Sequence, residues 1–139
     1  MADIVDRATR SRMMAGIRGK NTSPERLVRS FLHRAGLRFS LHRPDLPGHP
    51  DIVLPRWNAV VFVHGCFWHR HQGCRMATVP ATRKEFWASK FAGNVERDRR
   101  HCRELRRRGW RYRVIWECEL DRAHLHALVR WVRSTAPVS

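Results

Sequence analysis

Apolar and polar positions change period several times along the chain, and each change marks an element. Through residue 21, Arg7, Arg10, Arg12, Arg18 and Lys20 surround Met13, Met14 and Ile17 without strand alternation or a wide apolar face. This predicts a basic, partly helical arm over 1–21. Thr22-Ser23-Pro24-Glu25 then reads as a helix start, with Thr or Ser as the cap, Pro in the first turn and Glu25 closing a capping box with Thr22. Leu27, Phe31, Leu32 and Ala35 share one face, and Gly36 is placed to end the helix in a left-handed conformation.

Next, Leu37, Phe39 and Leu41 alternate with Arg38, Ser40 and His42, the period of a half-buried strand. Pro44-Asp45-Leu46-Pro47-Gly48 breaks the chain. The apolar, β-branched runs Asp51–Leu54 and Ala59–Val63 predict two central strands, separated by Pro55 and a turn over Arg56–Asn58. Between Thr82 and Arg108, Phe86, Trp87, Phe91, Val95, Cys102 and Leu105 recur at helical spacing, with Gly93 dividing the stretch into two helices. Tyr112–Trp116 follows Gly109 as a strand. Asp121 then opens a closing helix with Leu125, Leu128, Val129 and Val132 inward. The order predicts an α/β class, a mixed sheet flanked by helices in one domain over 1–139, with no internal repeat.

Charge narrows the partner. The chain has 28 basic residues against 12 acidic, a formal charge of +16, and 25 of the basic residues are Arg. Such a surplus attracts a polyanion, and guanidinium groups suit phosphates and guanine edges. Nucleic acid is the expected partner. No segment approaches the ~18 apolar residues of a membrane-spanning helix, and Met-Ala-Asp-Ile-Val-Asp does not open a signal peptide. A cytoplasmic protein is therefore expected, and in that compartment four Cys beside nine His point to metal binding or free thiols before disulfides.

Three groups of residues carry candidate chemistry. Cys66, His71 and Cys74 lie close together in a turn-rich stretch, and Cys118 falls just past a strand end. Three sulfurs and an imidazole suit tetrahedral Zn²⁺, the alternative being thiols packed in a small core. Cys102 sits on an apolar helix face and is assigned to packing. Pro50-Asp51 at a strand start resembles the metal-binding half of restriction-type nucleases, where a carboxylate holds Mg²⁺ against a scissile phosphate. The acid-x-Lys triplet usual on the next strand is absent from Val61-Phe62-Val63; His64, His69 and Asp98 follow instead. A His held by Asp can act as general base or acid, and each histidine could equally be a zinc ligand or a surface group. Phe67 and Trp68 stand in a loop with little else to bury them, and Trp87 could join them. They read as bases' stacking partners or, alternatively, as core. Core packing is favoured for Phe86, Phe91 and Trp116. Charge and the Cys/His cluster alone also fit a non-catalytic, zinc-stabilised DNA-binding module, or a nuclease acting on structured RNA.

The run Phe62-Val63-His64-Gly65-Cys66-Phe67-Trp68-His69-Arg70-His71, with Pro80-Ala81-Thr82-Arg83, Asn94-Val95-Glu96-Arg97-Asp98 and Trp116-Glu117-Cys118, resembles the very short patch repair endonucleases. Ala8-Thr9-Arg10-Ser11 and Leu46-Pro47-Gly48-His49-Pro50-Asp51 fit the same family, so the resemblance spans nearly the whole chain. It implies a restriction-endonuclease-like fold with a structural zinc site, acting as a monomer on double-stranded DNA. The implied reaction is recognition of a T:G mismatch left by deamination of 5-methylcytosine and a nick 5′ to the mismatched T. Asp51 would ligate Mg²⁺ together with the backbone carbonyl of Val63, where some relatives carry Thr. His69 with Asp98 would handle protons, and Glu25 and His64 would order water around the metal. Cys66, His71, Cys74 and Cys118 would hold structural Zn²⁺. Phe67, Trp68 and Trp87 would insert beside the mismatch from the major groove, with Met14 of the arm in the minor groove. A bacterial cytoplasmic protein is implied, at the nucleoid when on DNA, with other mismatch-repair proteins as further partners.

Overall fold

The two central apolar runs pair with each other and are covered on both faces. A computed structural model describes residues 22–138; the basic arm over 1–21, with Met14, lies outside the described residues. Helix α1 (Ser23–Arg34) leads into β1 (Ser40–Leu41), β2 (Ile52–Leu54), β3 (Ala59–His64), helix α2 (Lys84–Arg107), β4 (Arg111–Trp116) and helix α3 (Arg122–Val132). The sheet has the order β1-β2-β3-β4, antiparallel across β1/β2 and β2/β3 and parallel across β3/β4. This mixed α/β architecture is the one expected.

Strand parity sorts the side chains into two cores. Ile52, Leu54, Ala59, Val61 and Ile115 pack with Val28 and Leu32 of α1 and Leu125, Leu128, Val129 and Val132 of α3. Val53, Val60 and Phe62 point the other way, against Leu46 and Leu105, with Cys102 of α2 packed on that group as expected. Burial on both faces is why β2 and β3 read as unbroken apolar runs. Arg111, at the start of β4, ties the layers together by donating to the carbonyls of Trp57, Trp131 and Val132 at 3.1, 3.0 and 2.9 Å.

Four expectations need correction. The strand expected over 37–41 shrinks to Ser40–Leu41. The Leu37 N–H closes α1 by donating to Leu32 O at 3.1 Å, so Leu37 is buried as part of the helix end, while Leu41 is exposed. The buried face of α1 is Glu25, Val28 and Leu32, and Leu27 is 45% exposed. Phe86 is likewise exposed rather than core, with the Arg83 guanidinium 4.3 Å above its ring. Residues 84–107 form a single helix that runs through Gly93. An internal glycine costs only about 1 kcal/mol relative to alanine, and the packing of Phe91 and Leu105 on either side outweighs it.

At the helix starts the expected N-caps form, but the Glu25 carboxylate, expected to complete a capping box with Thr22, instead faces His42 Nε2 at 2.7 Å. Thr22 Oγ1 accepts from Glu25 N at 3.4 Å, and Asp121 Oδ1 accepts from His124 N at 2.9 Å. Among the described residues, no helix is long and apolar enough to cross a membrane.

Candidate active site

The chemistry collects at the C-terminal ends of the parallel strands β3 and β4. His64 and Trp116 are register partners, so Cys66 and Cys118 each lie two residues beyond the same point. The Cys66 N–H donates to Glu117 Oε1 at 2.9 Å, fastening one strand end to the other. A tight turn then brings His71 back, its N–H donating to Cys66 O at 3.1 Å, and Cys74 N–H donates to His71 O at 3.3 Å. His71 Nδ1 faces Cys66 Sγ at 3.6 Å and Cys118 Sγ at 3.3 Å. The four ligand atoms of Cys66, His71, Cys74 and Cys118 all lie within 4.8 Å of one another. Burial pushes the Cys66 thiol up to about 12, so a dication is the natural means of holding that sulfur as thiolate. Backbone N–H groups led by that of Met76 hold Cys74 below the ordinary thiol range. The donor set fits a closed tetrahedral site for a soft or borderline dication. Trp116 stacks on His71 at 4.2 Å and 5°, fixing the ring plane.

The second group gathers around Asp51. Ile52 pairs with Val61 across β2/β3, which carries Asp51 to the end of β3, where its Oδ2 accepts from Val63 N at 2.7 Å. Glu25 reaches the same point from the first turn of α1, is 2% exposed, and meets His42 Nε2 at 2.7 Å. The ligand atoms of Glu25, His42 and Asp51 also lie within 4.8 Å of one another. Burial pushes the Asp51 carboxyl up to about 7, and the adjoining Glu25 carboxylate raises it too, against the Val63 N–H that lowers it. Burial beside the Glu25 carboxylate makes an ionised Asp51 costly unless a proton or a cation neutralises it.

That pairing sets a pH dependence. The ordinary Asp51 value is 3.8, so the folded chain holds this proton more tightly than the unfolded one. The associated stability is present below about pH 4 and is lost as pH rises through about 7. In thermal melts without added divalent ions, wild type should therefore lose ground against Asp51→Asn between pH 4 and 7. Adding Mg²⁺ should reduce the loss. A wild type that gains on the variant over that interval would contradict the placement of Asp51.

The third group shares the cleft. By strand parity His64 lies on the α2 side of the sheet, where it is buried and its ring stacks on His69 at 3.7 Å and 5°. Burial, reinforced by the neighbouring His69, lowers His64 to about 3, so it is neutral at physiological pH. His69 Nδ1 meets Asp98 Oδ2 at 2.7 Å. Burial tends to raise Asp98, but the His69 hydrogen bond and the nearby histidines outweigh it and hold the carboxyl below its ordinary range. An ionised Asp98 accepts the Nδ1 proton and leaves His69 Nε2 as the atom that takes or gives a proton. Asp51, His64, His69 and Asp98 line one cleft of about 970 Å³, with Lys90 and Arg97 at its side.

The aromatic residues of the loop are not stranded. Phe67 lies edge-on to Trp68 at 5.0 Å and to Phe91 at 5.2 Å, and Trp87 stacks on Phe91 at 5.6 Å. Trp68 is 7% exposed, whereas Phe67 and Trp87 are half-buried. The sequence-based premise that this loop could not bury them is corrected: α2 supplies the surface.

Four contributors carry no assigned role in the sequence, or a misleading one. Arg70, with φ of 54°, donates to the carbonyls of Phe67, Ala77 and Thr78 and lies 4.1 Å over the Phe91 ring, stapling the loop to itself and to α2. Asn94 Nδ2 donates to Trp68 O at 3.0 Å, one helical turn before Asp98. His42 sat on the polar side of a supposed alternation, yet it faces Glu25. Gly48 has φ of 78°, and a Cβ there would come 3.1 Å from the His101 side chain, so glycine lets the loop before Asp51 lie against α2.

Known proteins resemble this chain over most of its length. A family profile described as DNA mismatch endonuclease Vsr matches residues 2–75. The chain is 49% identical over 131 residues to the type II nicking enzyme V.XorIIP of Xanthomonas oryzae, covering 94% of this chain and 96% of that one. It is 44% identical over 139 residues to the DNA mismatch endonuclease Vsr of Escherichia coli, covering 95% and 88%. The type II nicking enzyme V.NmeAIP of Neisseria meningitidis is 41% identical, covering 96% and 98%.

Proposed function

This chain belongs to the DNA mismatch endonuclease Vsr family, and from that premise we propose that it recognises a T:G mismatch in double-stranded DNA and nicks the strand 5′ to the mismatched T, with Mg²⁺ as cofactor. The observation that carries this reading is the opening of Asp51 and the His69–Asp98 pair onto one cleft flanked by Lys90 and Arg97. A cleft with a desolvated carboxylate, a proton carrier and cationic walls is suited to hydrolysing a phosphodiester. Relatives named as nicking enzymes support a single-strand cut.

We read the sheet and its flanking helices as a restriction-endonuclease-like fold in one domain, with residues 1–21 as a DNA-contacting arm that brings Met14 to the minor groove. Asp51 and the Val63 backbone carbonyl are the residues that would hold Mg²⁺. When bound, the ion supplies charge stabilisation at the phosphate and leaving oxygen. His69 Nε2 moves the proton, Asp98 fixes the ring, and neutral His64 supports it by stacking. Glu25 and His64 order water near the cation. Cys66, His71, Cys74 and Cys118 hold Zn²⁺ and so fix the loop that carries His69. Phe67 and Trp87, with ring edges still accessible, and Trp68 behind them form the group that enters beside the mismatch. The protein acts as a monomer in the bacterial cytoplasm, at the nucleoid when bound, and other mismatch-repair proteins are its further partners.

Selectivity follows from deformability. A mismatched pair costs less to unstack, so inserting aromatics favours it over a matched pair, while the +16 charge acts on any duplex. With Mg²⁺ present, a duplex containing one T:G pair should be nicked roughly 10- to 100-fold faster than its T:A counterpart, the size of a 1–3 kcal/mol mismatch effect. Equal cutting of the two duplexes would overturn the mismatch reading.

A further inference from the structure

Beside Asp51, a nitrogen donor stands among the carboxylates. His42 Nε2 lies 2.7 Å from Glu25 Oε2, and one ligand atom each from Glu25, His42 and Asp51 falls within 4.8 Å of the others. Donors on a small dication at about 2.0–2.2 Å can be no more than ~4.4 Å apart, so a shift of a few tenths of an ångström closes the set. The backbone points the same way. His42 has φ of 48°, a left-handed conformation sparsely adopted by residues other than glycine, and its N–H donates to Asp51 O at 3.3 Å. This turn swings the imidazole onto Glu25 instead of leaving it on the outer side of β1. The Asp51 carboxylate is fixed by its Oδ2 accepting from Val63 N, and its ligand atom converges with those of Glu25 and His42. His42 and Asp51 both line the cleft, and Glu25 lies behind them, 2% exposed.

We propose that His42 is a direct ligand of the divalent cation held by Asp51, beside the Glu25 carboxylate, giving this chain a mixed nitrogen and oxygen site that favours Mn²⁺ over Mg²⁺. The inference rests on the reading that Asp51 holds the cation. Mg²⁺ prefers an all-oxygen shell and keeps much of its water, whereas an imidazole is a good donor for later divalent ions of the first transition row. Without a cation, His42 hydrogen-bonds Glu25; with one, the imidazole turns to that charge.

Mn²⁺ added to the zinc-loaded full chain serves as the probe. Pulsed electron paramagnetic resonance of the bound ion should show coupling to ¹⁴N in wild type, and labelling the histidines with ¹⁵N should replace it with a ¹⁵N coupling. His42→Gln should abolish the nitrogen coupling and weaken Mn²⁺ binding about tenfold by calorimetry, with Mg²⁺ binding changed less. Asp51→Asn should abolish Mn²⁺ binding at this site, which tests the underlying reading separately. Bound Mn²⁺ that depends on Asp51 but shows no nitrogen coupling overturns the role of His42 and leaves Asp51 standing. So does a coupling that persists in His42→Gln, because it belongs to another histidine. Mn²⁺ binding indifferent to Asp51→Asn overturns the metal assignment itself. A wild-type spectrum without nitrogen coupling overturns the proposal even if a variant fails to fold.

Discussion

Replacing Asp51 with asparagine should slow nicking of a T:G duplex by about 10³- to 10⁴-fold, a loss of roughly 4–6 kcal/mol of transition-state stabilisation, while leaving DNA affinity within about threefold. The asymmetry has a structural cause. Asp51 is anchored by Val63 N at 2.7 Å, and asparagine preserves its size and one carbonyl oxygen. The sheet beneath it therefore has no reason to move, but the charge that attracts a cation is halved, leaving Glu25. Binding draws on a different resource, the +16 field spread over the chain, and phosphate contacts are many and individually weak. Removing one carboxylate from a basic cleft lessens repulsion of the phosphate, so any change in affinity should be a slight gain. Single-turnover cleavage with Mg²⁺ and gel-shift titration with Ca²⁺ separate the two effects. A variant that keeps more than a tenth of the wild-type rate would remove Asp51 from the centre of the chemistry.

Much of this site was legible because strands transmit position through register. Once Asp51–Leu54 and Ala59–Val63 read as apolar runs buried on both faces, Asp51 had to fall near the end of the second run, where His64 begins the chemical motif. Cys118 is far from Cys66 in sequence, yet parallel pairing of His64 with Trp116 brings the two within reach. The family resemblance then placed His69 with Asp98, which spacing alone could not, because the partner lies on a helix whose rotation depends on packing.

What escaped notice shares a different physical feature. His42 and Arg70 both have positive φ, so their side chains leave the chain in directions that periodicity assigns to the opposite face. Gly93 misled because a helix break was inferred from a local cost of about 1 kcal/mol, smaller than the packing that keeps α2 continuous. Leu27 misled for a related reason: Glu25, not Leu27, occupies the buried side of the first turn, and a buried carboxylate is the reverse of what an apolar stripe predicts.

Removing the metal from the Cys66, His71, Cys74 and Cys118 site should lower the melting temperature by roughly 15 °C and abolish nicking together. Residues 65–83 form turns and bends without a helix or strand, and a stretch of that length has little backbone pairing to hold it. Its order rests on Arg70, on the aromatic contacts with α2 and on the four-ligand cluster. A structural zinc site contributes its binding energy directly to folding, about 10–16 kcal/mol in small zinc-folded peptides. Here only the loop depends on it, so a loss near 4 kcal/mol is expected, equivalent to about 15 °C in a domain of this size. Activity should fall with stability because His69 is carried by the same loop, stacked on His64 and bonded to Asp98 only while the turn after Cys66 persists. The side chains should rank by burial. Cys66→Ser, at a fully buried position, should reproduce the metal-free protein; Cys118→Ser, at an exposed one, should be milder; and Cys102→Ser, which packs against Leu105 and Phe62 outside the cluster, should retain stoichiometric zinc. Elemental analysis beside calorimetry and a nicking assay tests each step, and active, equally stable protein with no zinc would refute the structural role.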